Sequence, residues 1–384
     1  MRMIHLGDLH LGKNLGEYSL IDDQKYILDQ ILDIIRDREV QAVIIAGDVY
    51  DRSIPTEAAV NLLDYFISEL ADREIGTYII SGNHDSDSRL EYGSRLFSSR
   101  EIHIVSGFSG ELIKRTARDE FGEINIYMLP FVKASQVKHY YPESKIENYE
   151  DAVRTVLEHS DIDYAARNIL VAHQFVVGIS DPHIAGSEGA SVQNVGLVEK
   201  ISSEIFRKFD YVALGHLHSP QSIGCDHIRY SGSILKYSLA EAESDKSVPL
   251  ITIGEKGTVE TELIPLKPQK DLRHITGRLK QLLSPENIVD PDDYMYVTLT
   301  DEEIINDVMG IVQQYYPNTV KIDYHNSHTK ELEDFDIGEI VIDKSFEELI
   351  ADFYMKMYGT GISSEELDVI LSAAREAGVI NEAD

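Results

Sequence analysis

The run Val43-Ile44-Ile45-Ala46-Gly47-Asp48-Val49-Tyr50-Asp51 constrains the fold of this chain more than any other stretch. Its apolar, β-branched half reads as a strand buried on both faces, and the glycine at its end delivers Asp48 and Asp51. In an open α/β sheet the carboxyl ends of the strands are where ligands bind. Alone, Gly-Asp after a strand is ordinary turn chemistry. The arrangement recurs, however. Asp8-Leu9-His10 follows the first apolar stretch, Gly82-Asn83-His84-Asp85 follows Thr77-Tyr78-Ile79-Ile80, Ala172-His173-Gln174 follows Asn168-Ile169-Leu170-Val171, and Gly215-His216-Leu217-His218 follows Tyr211-Val212-Ala213-Leu214. Five strand ends bearing Asp, Asn or His predict one mixed nitrogen and oxygen metal site.

Up to about residue 265 the pattern alternates short buried strands with amphipathic helices. Tyr26, Ile27, Ile31, Leu32 and Ile35 fall at helical spacing, and Thr56, just after Pro55, has the chemistry of an N-cap for a helix over 56–70. A strand at 124–129, a helix at 149–158 and late β segments at 228–230, 250–253 and 259–264 complete an α/β (α+β) pattern of two packed sheets flanked by helices. The polar loop over 175–195 reads as a site border or a long connection. A proline-containing break at 266–271 separates this body, 1–265, from a second unit over 271–330. There, strands at 272–276, 294–299 and 319–324 alternate with helices at 277–283 and 301–315, a compact βαβαβ unit without metal-type clusters that reads as a substrate-shaping or structural module. Over 345–384, Phe346, Leu349, Ile350, Phe353 and Met357 share a helical face, and Ser363-Ser364-Glu365-Glu366-Leu367 reads as an N-capped restart. This helical tail folds back on the body or offers its apolar face to a partner helix.

What the chain lacks narrows the chemistry. Cys225 is the only cysteine, which excludes a disulfide framework and a cysteine-rich zinc site. No apolar run reaches membrane-spanning length, and Asp8 and His10 interrupt the amino terminus before any signal-type core, so a soluble cytoplasmic protein is expected. The net charge of -32, from 35 basic and 67 acidic residues, argues against a chain that wraps nucleic acid with its own basic surface. Carboxylate, amide and imidazole donors suit divalent manganese, iron or zinc better than calcium. They exceed what one tetrahedral ion needs, which favours two ions with Asp48 as the natural shared ligand. Ions ~3.5 to 4 Å apart stabilise both oxygens of an in-line displacement, so the reaction implied is phosphoester hydrolysis. His5, His103, His139, His183 and His227 lack the strand-end context and read as structural.

Asp8-x-His10, Gly47-Asp48-x-x-Asp51, Gly82-Asn83-His84-Asp85, Ala172-His173 and Gly215-His216-x-His218 resemble the calcineurin-like metallophosphoesterases. The opening His5-Leu6-Gly7-Asp8-Leu9-His10-Leu11-Gly12, Tyr50-Asp51 before Pro55, Tyr230-Ser231-Gly232-Ser233 and Leu272-Arg273-x-Ile275-x-Gly277 are similar to the SbcD-type bacterial nuclease subunits within them. That resemblance implies a two-sheet αββα sandwich with a capping domain. It implies one ion on Asp8, His10, Asp48 and His218, and a second on Asp48, Asn83, His173 and His216. His84 would act on the scissile phosphate, with Asp51 hydrogen-bonded to it; some archaeal and eukaryotic relatives carry histidine at the Asp51 position. The activity implied is that of a manganese-dependent double-strand DNA exonuclease and single-strand endonuclease, with magnesium or iron as alternative ions. It would work in DNA end processing, repair and recombination as a homodimer bound to an SbcC-like ATPase, whose heads contribute DNA contacts and onto whose coiled coil the tail would dock. Lys13, Arg52 and Arg89, near the motifs, are candidates for phosphate contacts or plain solubilising charges. The competing readings are a phosphatase of the same superfamily and a non-catalytic scaffold; Ser53 stands where protein phosphatases place a glycine after Asp-Arg.

Overall fold

The computed structural model describes residues 1–178, 180–184, 200–327, 347, 349–351, 354–355, 361–363, 366–367 and 369–371. Its strands, in chain order, begin with β1 (Arg2–Leu6), β2 (Asn14–Leu15), β3 (Tyr18–Ser19), β4 (Ala42–Ala46), β5 (Gly76–Ile80) and β6 (Ile102–Val105). Next come β7 (Ile113–Asp119), β8 (Gly122–Leu129), β9 (Arg167–His173), β10 (Val176–Val177), β11 (Ile201–Ser202), β12 (Tyr211–Gly215), β13 (Gln221–Ile223) and β14 (Cys225–Tyr230). The last are β15 (Ser247–Ile253), β16 (Val259–Pro265), β17 (Leu272–Gly277), β18 (Tyr294–Leu299) and β19 (Thr319–Tyr324).

Two six-stranded sheets carry the body, in the orders β16-β15-β1-β4-β5-β6 and β13-β14-β12-β9-β8-β7. In each, parallel strands form the middle: β1, β4, β5 and β6 in the first, β8, β9, β12 and β14 in the second. Antiparallel strands close both edges of the second sheet and the β16 edge of the first, whose other edge is the parallel strand β6. The period-2 alternation of a strand explains why β4 is apolar throughout. Val43 and Ile45 pack with Ile27, Ile31 and Phe66 of the helices Ile21–Asp37 and Glu57–Asp72, whereas Ala42, Ile44 and Ala46 pack with Ile126, Ile169 and Val171 of the other sheet. β9 does the same from the opposite side, sending Leu170 and Ala172 toward Val153 and Val156 of the helix Tyr149–Glu158. The layers are therefore helix, sheet, sheet, helix, the expected αββα sandwich. Thr56 caps its helix by accepting the Ala59 N–H at 3.3 Å.

β17, β18 and β19 form a separate three-stranded sheet. Met1–Thr298 and Ile305–Asp323 make one compact unit; Leu299–Ile304 and Tyr324–Asp384 make another. Within the first, the Tyr294 hydroxyl donates to Asp23 at 2.8 Å and the Tyr18 hydroxyl to the Pro317 carbonyl at 2.9 Å. The helix expected over 301–315 is shorter, Val308–Gln313. Asp307 takes a left-handed φ of 51°, which an L-residue cannot hold inside a right-handed helix, so winding starts after it. Asp301 and Glu302 instead accept hydrogen bonds from Asn326 and Ser327. The helix expected over 277–283 is one turn, Leu279–Leu282.

In the second unit, residues 347, 349–351 and 354–355 are helical, while Phe346, Phe353 and Met357 of the expected apolar face lie outside the described residues. Ser363 and Glu366 exchange reciprocal capping bonds, with the Glu366 N–H given to Ser363 Oγ at 3.3 Å and the Ser363 N–H to Glu366 Oε2 at 3.0 Å. Most of the 175–195 loop also lies outside the described residues. Among the described residues no helix is long and apolar enough to cross a membrane.

Candidate active site

The parallel strands of both sheets end at the same edge of the sandwich, and that edge gathers the donor residues. β1 and β4 emerge side by side, their loops laddered by Asp8 N–H to Gly47 O at 3.1 Å and His10 N–H to Asp48 O at 3.0 Å. Asp8, His10, Asp48 and His216 all sit at positive φ (52°, 43°, 48° and 102°), a costly backbone for such residues and one that clusters at functional sites. The close approach of the sheets needs glycine. A Cβ on Gly215 would meet the Ala46 carbonyl oxygen at 1.9 Å, and one on Gly82 would meet Asp48 Oδ1 at 2.1 Å.

Asp8, His10 and His218 offer donor atoms within 4.8 Å of one another, as do Asp8, Asp48 and His173, all of them buried. Nε2 of His10 lies 3.1 Å from Nε2 of His218. Asn83 Oδ1 lies 3.1 Å from both His173 Nε2 and His216 Nδ1. Between these groups Asp48 Oδ2 is 3.3 Å from His173 Nε2 and 3.7 Å from His10 Nε2. All seven expected ligands therefore converge, with the Asp48 carboxylate central to both groups. The donor set is carboxylate, imidazole and amide, which fits divalent cations, and buried nitrogen atoms facing each other at such distances are what a cation held between them explains. His10 Nδ1 has no hydrogen-bond partner among the described residues.

Neighbouring groups orient these ligands. His173 gives its Nδ1–H to the Ala46 carbonyl at 2.7 Å, which leaves the Nε2 lone pair for a metal. Asp8 accepts the His216 N–H on both oxygens, at 2.9 and 3.0 Å. Asp85 accepts from the N–H groups of Val49, Tyr50 and Gly82 at 3.1, 2.9 and 2.9 Å, tying the loop after β4 to the loop after β5. Glu241 Oε1 lies 3.5 Å from His218 Nδ1, and the other Glu241 oxygen pairs with the buried Lys246. Lys246 also donates to the His218 carbonyl at 3.0 Å and to Ser233 Oγ at 2.8 Å. Sequence reasoning missed Glu241 and Lys246, because Glu241-Ala242-Glu243-Ser244-Asp245-Lys246 looks like a solvated charged stretch.

Burial dominates the electrostatics. It pushes the Asp8 carboxyl up to about 6 despite the nearby imidazoles. It drives His216 down to about 3, with His173 adding to the effect, and His10 well below the usual imidazole range. For His173 burial pulls the same way, but the Asp48 charge and hydrogen bond outweigh it and raise the ring to about 9. Asp48 is held well below the usual carboxylate range, since His173 and its neighbours overcome the penalty of burial. A divalent cation supplies the positive charge that these buried carboxylates otherwise draw from one protonated imidazole.

His84 is half-buried at the rim, and its N–H donates to Asp48 Oδ1 at 2.9 Å. Its Nδ1 lies 3.0 Å from the Asp51 main-chain carbonyl, so the expected contact is made by backbone rather than by the Asp51 carboxylate. That carboxylate turns toward Lys13 Nζ, at 2.8 Å, and His10 Nδ1, at 3.7 Å, because these are the charge and the buried donor within its reach. A carbonyl only accepts, so Nδ1 carries the proton and Nε2 is the ring atom that can exchange one. His5, by contrast, bonds the Tyr211 hydroxyl at 3.0 Å deep in the core, in keeping with its structural reading.

Residues 1–220 match the family described as calcineurin-like phosphoesterase, and residues 268–358 match the SbcD C-terminal family, described as type 5 capsule protein repressor C-terminal domain. Solved structures that match this chain include the Thermus thermophilus protein TT1561, at 11% identity over 68% of this chain and 98% of that one, TM-score 0.39. A dimetal phosphatase from Danio rerio matches at 13% identity over 70% of this chain and 99% of that one, TM-score 0.36.

Proposed function

We propose that this chain, which belongs to the calcineurin-like phosphoesterase family and is a metal-dependent phosphoester hydrolase, is a two-metal DNA phosphodiesterase of the SbcD type. The single observation that carries the reading is a complete seven-residue donor set in one chain with an SbcD-type C-terminal domain. Asp8, His10, Asp48 and His218 would hold one divalent ion, and Asp48, Asn83, His173 and His216 the other, with manganese the ion of choice. Such a pair neutralises phosphate charge and lowers the pKa of bound water.

The chain's own residues then have defined tasks. Asp85 and Glu241 hold the ligands' loops and rings in place. His84 holds a proton at Nε2 for the leaving oxygen, its orientation set at Nδ1 by the Asp51 carbonyl. With a net charge of -32 the chain is poorly suited to binding duplex alone, which supports a homodimer working with an SbcC-like ATPase that adds DNA contacts and uses ATP to act on duplex ends.

The test is cleavage of circular single-stranded DNA by the purified chain with manganese, and of end-labelled duplex with an SbcC-like ATPase and ATP added, beside p-nitrophenyl phosphate. DNA diesters should be cut and the monoester ignored; the reverse preference would identify a phosphatase. His84→Ala should keep its metal, counted by elemental analysis, and lose on the order of 10² to 10³-fold in kcat.

A further inference from the structure

A pocket of about 300 Å³ opens beside the donor set, and Asn83 and His216 form part of its wall. We propose that it is a nucleobase subsite, which takes one unstacked base next to the phosphate being cut. The proposal rests on the nuclease reading and names what that site recognises besides phosphate.

Continuity comes first. A phosphate at Asn83 and His216 places one of its two ester substituents at the pocket mouth, so the occupant is part of the substrate. The wall chemistry then selects the substituent. Phe131, Tyr149 and Phe175 come from three separate segments, after β8, at the start of the helix Tyr149–Glu158 and after β9. Phe131 and Tyr149 lie tilted with ring centroids 6.4 Å apart, and Phe175 and His216 meet edge-on at 6.1 Å, so neither pair is stacked in parallel. Phe131 and Tyr149 remain half-exposed, unlike the aromatic residues of the core. Half-exposed aromatic rings beside a phosphate site are what single-strand binders use to stack bases, tolerantly of sequence.

Two polar groups fit the same occupant. Gln174 is fully buried in this lining, and its Oε1 has no hydrogen-bond partner among the described residues, while its Nε2 faces the Val132 carbonyl at 3.4 Å. Every standard base carries an N–H donor on its Watson–Crick edge, which this acceptor lacks. Lys133 is exposed on the same wall and suits an adjacent phosphate. The subsite is held firmly, since the Phe131 N–H donates to the Ser81 carbonyl at 3.0 Å, two residues before Asn83. A base must leave its stack to enter, which favours single strands and frayed ends over intact duplex.

The experiment uses the full chain with manganese and single-stranded oligonucleotides carrying one abasic residue on either side of the mapped cleavage position. At one of the two positions the abasic residue should raise KM about tenfold or more with little change in kcat. Phe131→Leu, which keeps bulk but not the ring, should raise KM similarly on the ordinary strand, and the abasic residue should then add nothing. Phe131→Tyr should restore the wild-type value. A second readout needs no turnover: in the His84→Ala background, 2-aminopurine at that position should lose fluorescence on binding, and Phe131→Leu should abolish the quench. Wild-type protein that cuts both abasic strands with unchanged KM overturns the subsite and leaves the nuclease reading intact. Wild-type protein that cuts no DNA overturns the nuclease reading and the subsite with it.

Discussion

The sandwich and the three-stranded sheet both place aspartates at left-handed backbone positions, and they use them for opposite ends. Asp290 (φ 44°) pairs with Arg273 in its own module, and Asp307 (φ 51°) offers its carbonyl to the Ile311 N–H as a helix begins. Their strain closes turns. Asp8 and Asp48, at nearly the same φ, are buried and aim at four imidazoles brought from both sheets. The same backbone conformation thus closes a turn in one region, and in the other sets carboxylates among imidazoles where an ion can be held.

Substituting across that divide gives the largest expected effect. Asp48→Ala should lower phosphodiesterase activity on the order of 10³-fold or more and reduce bound metal, because both groups share this carboxylate. A variant retaining a tenth of wild-type activity would break the comparison.

A buried acid whose charge is fully answered sharpens it from the other side. Asp119 is buried between the Arg167 guanidinium, at 2.6 and 3.0 Å, and the Met1 ammonium, at 2.9 Å. The Arg167 hydrogen bond, and after it the Met1 ammonium, hold this carboxyl well below the usual carboxylate range. Asp119→Asn leaves a buried cation unpaired and should cost about 3–5 kcal/mol in urea unfolding with no change in KM. The depressed folded value means the contribution is fully present above the unfolded carboxylate pKa of about 4 and fades as pH falls through the lower folded one. The variant should therefore show a shallower acid-dependent limb of the stability profile, the limb left by the other carboxylates with lowered values remaining.

Metal removal tests the unanswered charges directly. In metal-free protein His173, raised to about 9, stabilises through Asp48 fully below the unfolded imidazole value of about 6.5 and progressively less as pH rises through about 9. Ligation needs the neutral ring, so metal binding should release a proton near neutrality, visible as buffer-dependent heat in titration calorimetry. The Tm gain on adding manganese should accordingly be larger at alkaline than at mildly acidic pH. A gain independent of pH would place His173 outside the metal site. The smallest effect belongs to the module: Asp307→Gly keeps the left-handed turn and should alter unfolding free energy by no more than about 0.5 kcal/mol, with kcat unchanged.

Much of this was legible because buried parallel strands leave an apolar, β-branched trace and end where their donors begin. β4, β9 and β12 each announce a ligand within three residues of their last buried position. The helices Ile21–Asp37 and Glu57–Asp72 carry a full apolar stripe, and the second also carries a cap. β7 was not legible, since this edge strand carries Lys114, Arg115 and Arg118 and mostly faces solvent. Nor was the Glu241–Lys246 pair beneath His218, because its burial depends on the separate turns that carry His218 and Ser233 closing over it. The hydrogen bond that His84 gives to Asp51 reads from sequence as side-chain chemistry; a main-chain carbonyl is contributed by every residue type and leaves no compositional mark.

Gly215 faces the Ala46 carbonyl with no room for even a methyl group between them. The spacing of the two sheets beside the donor set is consequently fixed by direct backbone contact rather than by side chains that could repack. On the proposed nuclease reading, it is the entering strand that must bend to reach the donor set.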